Sequence, residues 1–66
     1  MNKAQAYLEA HRRVSLAVVE LGGNDHSANA RLIARAAGLQ LGEHVGKVTA
    51  AESLRALAVE LEANDR

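Results

Sequence analysis

The sequence predicts an all-α fold of three helical segments, and three observations predict it. Proline is absent and β-branched residues other than valine are sparse, so little interrupts a helix and little favours a strand. Apolar residues recur at three- and four-residue spacing in an N-terminal and a C-terminal stretch. Capping patterns and glycines mark where those stretches begin and end. The segments are expected over about 3–21, 28–37 and 50–63, with a glycine-rich connector at 38–48.

The first segment opens with Asn2 and, three residues on, Gln5, the spacing of a capping box, and closes at Gly22-Gly23. Tyr7, Val14, Val18 and Leu21 mark one apolar stripe, which Leu8, Leu16 and Val19 widen until it can bury on two sides. Lys3, Glu9, Arg12 and Arg13 take the remainder.

The second segment follows Gly-Gly-Asn-Asp-His, with Asp25 or Ser27 as its N-cap. Leu32, Ile33, Ala36 and Ala37 are its expected buried side, and Arg31 and Arg35 lie one turn apart on the opposite, solvated side. Thr49-Ala-Ala-Glu52 has the capping-box pattern for the third segment, whose Leu54, Leu57, Ala58 and Leu61 fall in register. Leu57 is expected to be buried there, and Asn64-Asp65-Arg66 to fray.

Through the middle of the chain runs a ladder of small residues four apart: Ala30, Ala34, Gly38, Gly42, Gly46, Ala50. Such a ladder could line a groove that admits another backbone closely. Each step, however, overshoots a full turn by about 40°, so the ladder winds around a straight helix. Three glycines also cost about 2–3 kcal/mol of helix propensity against alanine. A break at Gly38 is therefore favoured over a close-packed groove, with a new start near Thr49.

Sixty-six residues without cysteine make one domain, 1–66, at a size where a single core is marginal and oligomerisation is a common remedy. The core is thin, mostly alanine, leucine and valine with Tyr7 as the sole aromatic, which favours a homodimer. No apolar run approaches the roughly 18 residues of a membrane span, and no signal-peptide pattern opens the chain, so a cytoplasmic protein with no membrane partner is expected.

No chemistry is legible. His11, His26 and His44 are far apart, with no histidine or cysteine one turn away, so no metal site is expected. The carboxylates are scattered among polar positions, and the serines and Thr49 lack a nucleophile-elbow context. Gly22-Gly23 lacks the spacing of a phosphate-binding loop. No catalytic residue and no cofactor are assigned, and an enzyme is not expected.

One segment of about twenty residues resembles a DNA-binding helix-turn-helix: Ala34, Gly38 and Leu39, supported by Ile33 and Ala37, match its first helix and turn. The resemblance implies Arg31, Arg35 and Lys47 as phosphate contacts. Beyond the turn the pattern departs, because Gly42 and Gly46 fall inside the recognition helix and His44 stands where an apolar residue belongs. Charge is no better suited, since eight basic and eight acidic residues cancel while phosphate binding needs a positive field. The first expectation is thus a small helical protein–protein interaction module, such as an adaptor, inhibitor or accessory regulator of bacterial or phage type. A helix-turn-helix regulator is the alternative. Arg31, Arg35 and Lys47 are the candidate contacts to a protein or nucleic-acid partner under either.

Overall fold

The computed structural model describes residues 2–64, which form α1 (Lys3–Glu20), α2 (His26–Val45) and α3 (Lys47–Asn64), with no strand among the described residues. The all-α class and the three helices agree with expectation. Part of the fraying expected at the C-terminus falls on residues 65–66, outside the described residues; Asn64 is the last residue of α3.

Both halves of the capping box at α1 are present: the Gln5 amide donates to Asn2 Oδ1 at 2.9 Å, and the Asn2 amide donates to Gln5 Oε1 at 3.2 Å. The helix stops where Gly22 and Gly23 take φ of +83° and +73°, left-handed values that a side chain strains. At the start of α2 the Asp25 carboxylate accepts the Ala28 amide at 2.9 Å, so Asp25 is the cap and Ser27 lies inside the helix.

The expected connector at 38–48 is corrected. Helix α2 runs through Gly38 and Gly42 to Val45, and Gly46 alone separates it from α3. A glycine ends a helix by turning left-handed, and of these three only Gly46 does so, at φ +90°. Between them Leu39, Gln40, Leu41 and Glu43 are strong helix formers, and elongating a helix already nucleated at Asp25 outweighs two glycines. Gly46 then serves both helices: its amide donates to the Gly42 carbonyl, ending α2, and its carbonyl accepts the Ala50 amide, beginning α3, each at 3.0 Å. Thr49 is consequently inside α3 and caps nothing. Its carbonyl accepts the Ser53 hydroxyl at 3.0 Å.

Two compact units meet in sequence between Ala34 and Arg35. In the first, the Asn29 carboxamide donates to the carbonyls of Val18, at 2.8 Å, and Gly22, at 2.9 Å. One side chain thereby satisfies two carbonyls at the end of α1 and fastens the first turn of α2 to it. Ala17, Val18, Ala28, Asn29 and Ile33 are half-buried around this contact.

In the second unit Gly38 stands eight residues before Gly46 and Leu54 eight after it. A Cβ on Gly38 would lie 3.3 Å from Leu54 Cδ1, so the end of α2 and the start of α3 fold back on each other as a helical hairpin. Ala50, 4% exposed, is the only buried residue among those described. Gly38, Leu41, Gly42 and Ala51 are half-buried around it.

The expected inner faces are largely uncovered. Leu57 is 49% exposed, against the expected burial, and Leu54, Ala58 and Leu61 are exposed with it. Along α3 the partial burial ends at Ala51, and Leu54, where the helix meets Gly38, is already 42% exposed. In α2 Ile33 is half-buried, whereas Leu32, Ala36 and Ala37 are exposed. In α1 only Val18 of the apolar stripe is half-buried.

Candidate interaction groove

The fourfold spacing of Gly38 and Gly42 puts both on one face of α2, and Ala50 and Leu54 share a face of α3 in the same way. Folded back at Gly46, these faces enclose an open groove of about 590 Å³. Gly38, Gly42, Ala50 and Ala51 leave its space free, Leu39 and Leu54 supply apolar bulk, and Glu43 and Lys47 supply charge. The volume is that of a small-ligand pocket. The lining is predominantly apolar, and Glu43 and Lys47 are its ionisable groups.

Gly38 and Gly42 differ within it. A Cβ on Gly38 would press against the Leu54 methyl at 3.3 Å, whereas nothing lies within 4 Å of one on Gly42. The close-packing role of the glycine ladder is thus real at Gly38, while at Gly42 the missing side chain leaves open space.

The two charges make no ion pair with each other. Glu43 lies in the last turn of α2 and Lys47 is the first residue of α3. Each is at the end of its own helix where the macrodipole disfavours its sign.

No protein-family model, curated protein or solved structure matches this chain.

Of the residues singled out from the sequence, Lys47 lines the groove, and Arg31 and Arg35 do not. Arg31 and Arg35 are exposed one turn apart on α2. Leu39, Glu43 and Leu54 also belong to the groove; in the sequence Leu39 stood out only as the residue after an expected turn and Leu54 only as part of an apolar stripe, and nothing marked either, or Glu43, as a site. The helix-turn-helix turn implied at Gly38 is absent, because Gly38 is in the interior of α2.

Away from the groove, Glu9 accepts from Arg12 Nη2 at 2.6 Å and Nε at 3.2 Å, and from Arg13 Nε at 3.0 Å. Hydrogen bonds from Arg12 first and Arg13 second hold its carboxyl below the usual carboxylate range, and Glu9 in turn raises Arg12. All three lie on the surface of α1, so the cluster adds little to stability. The Tyr7 and His11 rings stand 6.1 Å apart in a tilted arrangement. Among the described residues no group of three histidines, aspartates or glutamates is placed to hold a metal, and no helix is long and apolar enough to cross a membrane.

Proposed function

We propose that this chain is a small helical interaction module of the cytoplasm that works by presenting apolar helix surface to another protein, without chemistry of its own. The observation that carries this reading is exposure. Of the seventeen leucine, isoleucine, valine and tyrosine side chains in the described residues, fourteen are exposed, and only Val18, Ile33 and Leu41 are half-buried. Apolar surface on that scale is characteristic of chains that complete their core with a partner. The groove beside Leu39 and Leu54 offers a cleft where a partner's side chains can lodge, and the role of an adaptor, inhibitor or accessory regulator needs no more than this.

A DNA-binding regulator is the second reading, favoured by exposed Arg31 and Arg35 one turn apart on α2. It lacks the turn at Gly38 and a positive net charge.

A photo-cross-linking residue in place of Leu39, in the cells that make the protein, tests the choice. Cross-linking to protein is expected, together with no retention of duplex DNA tighter than about 0.1 μM near physiological salt. Sequence-selective DNA binding in that range, abolished by Arg31→Glu with Arg35→Glu, would replace the interaction reading.

A further inference from the structure

The groove's charges name an occupant. Glu43 and Lys47 carry opposite signs in the same groove, are unpaired with each other, and sit where their own helix ends disfavour them. Helix stability therefore does not account for their placement. A two-fold axis does: when two identical surfaces meet, residue i of one contacts residue j of the other, and j contacts i.

We infer that a second copy of this chain covers the groove, hairpin against hairpin about a two-fold axis, with Glu43 of each protomer paired to the partner's Lys47. This deepens the interaction reading and rests on it. Apolar surface continues beyond the groove: Leu39 and Leu54 line it, Leu57 and Leu61 follow Leu54 along the same face of α3, and all four are 42–63% exposed. The chain's zero net charge sets no repulsion against self-association. The open space over Gly42 leaves room for the partner's side chains.

Charge reversal tests the pairing on the full chain, by sedimentation equilibrium and native mass spectrometry. The wild type is expected to be dimeric. Glu43→Lys alone sets lysine against the partner's Lys47, and Lys47→Glu alone sets glutamate against the partner's Glu43, so each should dissociate at least about tenfold more readily. Mixed in equal amounts, the two variants should form a dimer of one copy of each, because both cross-pairs are then of opposite sign. Unchanged helicity by circular dichroism separates lost association from lost folding. Gly42→Leu supplies an independent variant: it fills the groove, favours the helix, and should abolish the dimer.

A wild type that stays monomeric, single variants as dimeric as the wild type, or a mixture that remains monomeric would each overturn the second copy. If the monomeric chain still cross-links at position 39 to a different protein, the interaction reading survives without it. If it cross-links to no protein, both fall.

Discussion

Three glycines of the same composition do three different things here. Gly46 turns left-handed, Gly38 admits the Leu54 side chain, and Gly42 sits in ordinary helix with nothing within 4 Å of where a Cβ would lie. Gly42→Ala should accordingly stabilise the fold by up to about 1 kcal/mol, because alanine restricts the unfolded chain and meets no obstacle in the folded one. Gly46→Ala should destabilise by about 1 kcal/mol or more, since its φ strains any side chain. Urea denaturation of both variants checks the contrast in the monomer; a destabilised Gly42→Ala would mean either a connector or a surface packed over Gly42, and helix boundaries from NMR chemical shifts tell the two apart. At Glu9 the folded carboxyl has the lower pKa, so whatever the cluster contributes is present above the unfolded value and fades as pH falls through the folded one. A carboxyl-detected NMR titration should find Glu9 titrating below the usual carboxylate range, and Arg12→Gln should move it upward. A midpoint unmoved by that change would remove Arg12 as the cause.

Helix boundaries depend on which donors and carbonyls find partners. Asp25 decides where α2 begins, and Asn29 decides how firmly it is held to α1, through two carbonyls that the end of α1 leaves open. Asn29→Ala should cost about 1–2 kcal/mol, two modest hydrogen bonds, with faster amide exchange in the last turn of α1. Exchange unchanged around Val18 and Leu21 would show that the carboxamide does not fasten the two helices. Asp25→Ala should cost about 1 kcal/mol through the lost cap. The hairpin of the second unit is held differently, by the approach of Leu54 to Gly38 and the burial of Ala50, with no side-chain hydrogen bond between α2 and α3 among the described residues.

For the molecule as a whole, the question is where its apolar residues go. Among the described residues Ala50 alone is buried, and a chain with so little covered apolar surface there has a slim margin over conformational entropy. If a second copy supplies the missing cover, the thermal midpoint should rise with protein concentration, since mass action favours the folded dimer. Calorimetry over a hundredfold range of concentration measures this directly. A midpoint independent of concentration would speak against coupled folding and association.

Local rules carried much of the fold. The Asn2–Gln5 box and the Gly22-Gly23 stop are settled within a few residues of chain and appear as the sequence predicts, while of the two caps it offered for α2, Asp25 or Ser27, the structure takes Asp25. The helical class follows in the same way from the absence of proline and the period of the apolar residues. What lay beyond the sequence was which glycine would break the helix, because Gly38, Gly42 and Gly46 look alike until Leu54 arrives from eight residues past the turn to occupy the space at Gly38. The groove could not be read for the same reason: Leu39, Glu43, Lys47 and Leu54 come together only when α3 folds back on α2. The period of Leu54, Leu57 and Leu61 shows that these residues share a face, but burial is a property of what packs against that face, and only the tertiary structure decides how far along it the contact extends.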